Sequence, residues 1–296
     1  MSLENPEVTQ EELEKLKSQI KIILRENKPI TSEPKVKILA DSITRDRKRL
    51  TTFELTFWRP ILPEITRHRA LSFSVRSSRA TPVDTLIGEI RNSPWGPTEW
   101  GENEKGMVAN KVFTNEQYVD TLNYIWYQSA SLQCKMAKTL ADAGVHKQIV
   151  NRLLEPFSCT HAVVSGTEWD NFYKLRTAKD AQPEMRQLAL AMQKSYEEST
   201  PVQLSSDDWH LPYITHEESL KYDVKDLCKI SAARCARVSY KLYDGSTNPD
   251  KDSELYQKLV TKFHFSPLEH VATPAGSNYL LSNFKGWNQL RKFVEE

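Results

Sequence analysis

Arg67-His68-Arg69-Ala70-Leu71-Ser72-Phe73-Ser74-Val75-Arg76-Ser77-Ser78-Arg79 puts four arginines, one histidine and four serines into thirteen residues, directly after an apolar, β-prone run. Guanidinium groups stay charged and present planar forks of donors that fit phosphate and carboxylate oxygens two at a time. Serine hydroxyls add short neutral donors around the same anion. The stretch predicts an element that holds a polyanionic ligand such as a nucleotide, formed as a helix or a tight loop. The bland alternative is an amphipathic helix with a solvated basic face, and four serines are poor filler for a helix.

Outward from this stretch, residues 36–40 and 51–57 are β-prone runs split by the charged turn 44–49, which predicts a hairpin ended by Pro60 and Pro63. Further upstream, Thr9 and Glu12 make a capping box, and Leu13, Leu16, Ile20 and Ile23 recur at helical spacing. Residues 1–30 therefore read as a helical extension, and 31–296 as the main domain. Downstream, residues 92–106 are rich in Pro, Gly, Trp and Asn and predict a loop, either a functional lid or a surface insertion. Helical patterns cover 114–143, stopped by Gly144, then 168–176, 182–196, 224–239 and 252–263, while 157–164 is β-prone and 199–212 a loop. The final thirty residues mix apolar with Gly and Asn positions and define no element.

At 296 residues, with 39% hydrophobic and 27% charged residues, the composition is that of a soluble globular protein with a large core. A net charge of +1 argues against a general nucleic-acid coat, so no nucleic-acid polymer is expected as partner. No apolar run approaches the roughly 18 residues that cross a bilayer, and the charged first 27 residues do not read as a signal peptide. Cys134, Cys159, Cys228 and Cys235 are scattered, which points to free thiols in a reducing, cytoplasmic setting and to no metal site.

Two further constellations carry chemistry. In Asn171-Phe172-Tyr173-Lys174-Leu175-Arg176 an arginine projects beside a phenylalanine from a partly apolar helical face. It must find an anion or planar acceptor, or else form a surface salt bridge with Glu or Asp. The other is Ala236-Arg237-Val238-Ser239-Tyr240 with Ser266-Pro267-Leu268-Glu269-His270. Taken alone, a histidine like His270 is more often a structural hydrogen-bonder than a catalyst.

Arg-His-Arg, seven residues and Ser, met by Arg67, His68, Arg69 and Ser77, resembles the signature of the flavin-dependent thymidylate synthases. The segments 171–176 and 181–186 resemble that family's Asn-Phe-x-x-Leu-Arg and Ala-Gln-x-Glu-hydrophobic-Arg in the expected order. The Ser239 and His270 segments also look like the family, but they come last here, so the motif order resembles a permuted, longer branch. The resemblance covers about residues 36–291. It implies an α+β fold with an antiparallel sheet and long helices.

What the resemblance implies for the site is specific. Arg67, His68, Arg69, Asn171, Ser239 and His270 would contact FAD. Arg67, Ser77, Ser78, Arg79, Arg152 and Arg176 would bind dUMP, with Ser78 offering its backbone. Arg176, at the pyrimidine edge, and Ser77 would be the catalytic groups. The reaction implied is conversion of dUMP to dTMP, with methylenetetrahydrofolate as one-carbon donor and NADPH-reduced FAD as hydride source, in a homotetramer whose sites combine several chains. None of the four cysteines sits in the Pro-Cys-His setting of the cysteine-dependent synthases. Departures stand at Ser74-Val75 (Asn-Glu in the family), Glu64 (Gln), Ser165-Gly166-Thr167 (Asn-x-Arg) and Asp180 (His). They keep open a C5 hydroxymethylation of dUMP or dCMP. A non-catalytic nucleotide- or RNA-binding protein on the same scaffold is the rival from another class.

Overall fold

The structure, a computed structural model, describes residues 30–239, 248–276 and 279–295. The expected N-terminal helix, and with it the division at residue 30, falls outside them. The expected hairpin is present and longer than its β-prone cores: β1 (Lys35–Thr44) and β2 (Arg49–Trp58) pair antiparallel. Arg47 takes the left-handed φ of 59° in the turn between them. With β3 (Leu71–Val75), β4 (Cys159–Gly166) and β5 (Val202–Leu204) they form a sheet ordered β3-β4-β2-β1-β5, antiparallel except for β5 along β1.

The arginine-rich stretch is neither a helix nor one loop. Its middle is strand β3, because Leu71, Phe73 and Val75 alternate with Ser72 and Ser74, and a period of two sends them to opposite faces. The dense charge at both ends masked that alternation. The three-residue β5 likewise lies inside the segment expected to be loop.

The two faces of the sheet differ. On one, Phe53, Leu55, Phe57, Ala162 and Val164 pack under helices α3 (Asp170–Arg176) and α4 (Pro183–Glu198), whose Phe172, Met185, Leu188 and Met192 complete the core. Beside it, α1 (Val83–Asn92), which the sequence reading left unassigned, lays Leu86, Ile87 and Ile90 against Ala130, Cys134 and Ala137 of α2 (Glu116–Asp142). Asn115 caps α2 by accepting the Tyr118 amide.

The other face carries a buried polar seam. Ser42 Oγ lies 2.9 Å from His210 Nδ1, His210 Nε2 2.7 Å from Thr52 Oγ1, and Thr52 Oγ1 2.6 Å from Ser165 Oγ. Ser165 Oγ lies 2.8 Å from His270 Nδ1, and His270 Nε2 2.9 Å from Ser74 Oγ. Burial pushes both imidazoles down to a pKa of about 3, so they stay neutral. The seam ties the C-terminal third to the sheet. There α5 (Val224–Arg237) packs on α6 (Pro249–Thr261), and Arg234 joins Glu218 and Asp252 in a fully buried ion cluster. The last residues form a 3-10 turn (Ser266–His270) and two small strand pairs, Ala272–Pro274 with Trp287–Gln289 and Leu280–Leu281 with Phe284–Lys285. Among the described residues no helix is long and apolar enough to cross a membrane.

Candidate functional site

The candidate residues gather at the two ends of β3. At its N-terminal end, β2 runs into the short helical turns Arg59–Ile61 and Leu62–Ile65, which carry Glu64, and a tight turn then presents Arg67, His68 and Arg69. His68 stacks edge-on against Phe172 with ring centroids 4.9 Å apart. Its Nε2 accepts from Arg176 Nε at 2.9 Å, which leaves the ring proton on Nδ1. Burial and then the Arg176 charge lower the His68 pKa, so the ring stays a neutral acceptor. Arg176 also donates from Nη1 to Glu64 Oε2 at 2.8 Å and from Nη2 to the Glu64 carbonyl at 3.3 Å. The acceptor that a partly apolar helix face demanded of Arg176 is thus Glu64, itself one of the departures noted in the sequence.

Arg67 and Arg176 line one cavity of about 490 Å³, together with Trp58, Glu64 and Gln182. The loop beginning at residue 92 supplies the opposite wall through Pro97, Gly101 and Met107. That wall is pinned. The Thr98 amide donates to Glu184 Oε1, Trp100 Nε1 to Asn123 Oδ1, and Trp126 Nε1 to the Trp95 carbonyl. Gly96 is required there, because a Cβ would sit 2.6 Å from the Trp126 ring. Arg69 turns the other way, into a separate polar cleft of about 640 Å³ with Asn283, Arg291 and Lys292. The tripeptide therefore divides between two cavities. Asn171 lies exposed on α3, with no side-chain hydrogen bond among the described residues.

At the C-terminal end of β3, Ser77 donates its amide to the Ser239 carbonyl at 3.0 Å, and Arg79 is exposed. Ser78 has its carbonyl taken by Asn151 Nδ2 at 2.6 Å, and its hydroxyl donates to Glu155 Oε1 at 2.6 Å. Arg152 Nη1 reaches the same oxygen at 2.8 Å and Arg59 Nη2 at 3.3 Å. Arg76, the third arginine of the opening stretch, is structural: it is buried and forks onto Glu89 at 2.9 Å and 2.9 Å.

Two expectations change with this geometry. His270 is 0% exposed and both ring nitrogens are committed to serines, so it is the structural hydrogen-bonder of the seam and does not line a flavin cavity. Ser239 sits by Ser77, and among the described residues it shares no hydrogen-bond partner with His270. Arg59 was missed; its only signal was an arginine between the end of a strand and Pro60. The cysteines are free, and burial raises the thiol of Cys159 to about 11 and that of Cys228 to about 12, with Cys134 and Cys235 also raised. None is a thiolate nucleophile at neutral pH.

Compared with known proteins, residues 50–202 match the family model described as thymidylate synthase complementing protein. A flavin-dependent thymidylate synthase from Synechocystis sp. is 26% identical over 166 residues, 53% of this chain and 71% of that protein. Among solved structures, the UMP/dUMP methylase PolB from Streptomyces cacaoi bound with 5-Br dUMP gives a TM-score of 0.47 at 13% identity, covering 58% of this chain and 93% of that one. Thymidylate synthase X from Helicobacter pylori with FAD and dUMP gives 0.34 at 22% identity, covering 50% and 67%. The matched range holds both clusters of site residues and leaves Ser239 and His270 outside it.

Proposed function

This chain belongs to the thymidylate synthase complementing protein family, and from that premise we propose that it is a flavin-dependent enzyme that modifies C5 of a pyrimidine deoxynucleotide. The acceptor is dUMP, methylenetetrahydrofolate donates the one-carbon unit, NADPH is the reductant, and the product is dTMP. The observation that carries this reading is Arg176, a mostly buried guanidinium in the wall of the cavity that Arg67 also lines, held there by His68 and Glu64.

The residues present fit a flavin. Arg67 and the Trp58 ring line the cavity and offer cationic and aromatic surface that suits a planar ring system and a pyrophosphate, and Asn171 stands exposed on α3. A cavity of 490 Å³ lies within the roughly 300–1,000 Å³ of small-molecule sites. Bound and reduced FAD supplies the hydride; the protein contributes position and charge. Arg176 holds the pyrimidine edge and stabilises negative charge developing there. Neutral His68, accepting from Nε, fixes the plane of that guanidinium. The pinned 97–109 wall excludes water. Ser77, Ser78, Arg79 and Arg152 hold the nucleotide phosphate. Ser77 joins Arg176 in the catalytic set, Ser239 supports it, and Arg69 grips the far part of the cofactor.

The phosphate residues and Arg176 stand at opposite ends of β3, about 16 Å of strand at 3.3 Å per residue. That separation supports a homotetramer in which one pocket draws Arg79 and Arg176 from different chains. Inactive Arg79→Ala and Arg176→Ala proteins, mixed and co-refolded, are expected to recover part of the activity. No recovery in a verified mixed oligomer would mean that each pocket is built within one chain. Mass analysis of the product made with labelled folate tests the reaction, and a labelled methyl on dTMP is expected. A labelled hydroxymethyl product, or labelled dCMP, would support the second reading. Glu64 favours that one, since a carboxylate beside Arg176 can accept from an exocyclic amino group.

A further inference from the structure

Three groups from three separate chain segments meet on one oxygen, Glu155 Oε1: Ser78 Oγ donates to it at 2.6 Å and Arg152 Nη1 at 2.8 Å, while Arg59 Nη2 pairs with it at 3.3 Å and donates to Ser78 Oγ at 3.5 Å. Ser78 follows β3, Arg152 lies in the short turn Asn151–Leu153, and Arg59 comes directly after β2. Arg59 is fixed in turn by its Nη1, which donates to the Arg76 carbonyl at 3.3 Å, and Arg76 is locked by Glu89. A surface salt bridge needs one cation and one carboxylate. Here two guanidinium groups and a hydroxyl converge on a single acceptor atom, which is the donor arrangement that holds one oxygen of a phosphate. The Glu155 side chain is about a quarter exposed, so it can swing out to solvent without leaving a buried charge behind.

We propose that Glu155 is an internal occupant of the nucleotide's phosphate subsite, displaced when the phosphate binds, and that Arg59 is a further phosphate ligand of that subsite. This rests on the nucleotide reading of the site, but the anion subsite itself can be tested without it. Two functions follow from the arrangement. While Glu155 is in place, one of the two arginine charges is balanced and the subsite stays ordered before any ligand arrives. On binding, the phosphate must outcompete a tethered carboxylate, so dianionic phosphate monoesters are selected over singly charged ligands, which gain too little from the same donors.

The test uses the full chain, with inorganic phosphate as one probe and dUMP and deoxyuridine as the others, read by phosphorus NMR titration and calorimetry. Glu155→Gln removes the competing charge and is nearly isosteric. It is expected to bind inorganic phosphate and dUMP about tenfold tighter than wild type, the worth of one charge-assisted hydrogen bond, with deoxyuridine unchanged. Arg59→Gln is expected to weaken both phosphate and dUMP about tenfold. Should Glu155→Gln fail to fold, Arg59→Gln and Ser78→Ala in the wild-type background read the same subsite. Phosphate binding that Glu155→Gln leaves unchanged or weakens, or that ignores Arg59→Gln, overturns the inference, as does no phosphate binding by any of the proteins. Tighter phosphate binding with no binding of dUMP would keep the anion subsite and discard the nucleotide reading.

Discussion

Arg234 and Arg176 meet their carboxylates at similar range, 2.5 Å to Glu218 and 2.8 Å to Glu64, but at different depths. The Arg234 side chain is 0% exposed, with Glu218 at 9% and a second carboxylate, Asp252, at 2%. Arg234 also donates to the carbonyl of Tyr213, a residue held at the left-handed φ of 65°. Arg176 and Glu64 are 18% and 27% exposed, and a cavity opens beside them. The first cluster has exchanged all its water for protein, so losing one member strands the others. The second keeps enough solvent that its partner can be swapped for a ligand. Depth, and not the identity of the pair, separates a structural arginine from a working one.

The largest expected effect breaks the buried cluster. Arg234→Met should cost about 3–5 kcal/mol, because Glu218 would remain buried without its cation and Asp252 would keep only Arg237. Arg176→Met should cost no more than about 1 kcal/mol of stability. Urea unfolding followed by circular dichroism reads both. Equal losses would mean that Arg176 is also a structural group, and the contrast would fail.

Activity should reverse the ranking. Arg176→Lys keeps the charge but loses the planar fork. It is expected to bind FAD normally and transfer the one-carbon unit about two to three decades more slowly, roughly 3–4 kcal/mol of transition-state stabilisation. Stopped-flow absorbance of flavin oxidation by folate and nucleotide measures it, and unchanged turnover would reduce Arg176 to a surface charge.

The pH dependence sharpens the same contrast. His210 and His270 have native pKa values near 3, depressed by burial from an unfolded value of about 6.5. The unfolded chain therefore binds protons that the native seam refuses. Their contribution is complete above about pH 6.5 and falls as pH drops from there towards 3, by about 1.4 kcal/mol per unit for each histidine. Replacing both with Gln should flatten that slope in denaturant titrations at several pH values. A slope unaltered by the double replacement would remove the seam from the account.

The smallest effect belongs to Glu64→Gln. It frees Arg176 from a partly exposed partner, so stability should move by less than about 1 kcal/mol. Affinity for dUMP should improve by a few-fold, measured by calorimetry. A large loss of stability would place Glu64 with the buried cluster.

Much of this was legible in the sequence. The hairpin, the helices over 116–142, 170–176 and 183–198, and the anion-seeking stretch all declare themselves through period, caps and charge. Four things did not. The alternation of Leu71, Phe73 and Val75 was hidden by flanking arginines, and Arg76 reads like its neighbours until Glu89 of α1 arrives from thirteen residues away. The seam joins Ser42, Thr52, Ser74, Ser165, His210 and His270, residues far apart in the chain that only the sheet register brings together. Arg59 and Glu155 meet for the same reason, since no local spacing relates a strand end to a turn almost a hundred residues later.

The most direct test of the account is flavin uptake by the purified chain. FAD is titrated into wild type and into the Arg67→Ala, Arg69→Ala double variant, followed by flavin fluorescence, and methylenetetrahydrofolate with dUMP is then added to the reduced wild type. The expected result is a yellow wild type that binds FAD, a folded variant that does not, and reoxidation only when nucleotide and folate are both present. A wild type that stays colourless and takes up no added FAD would contradict it.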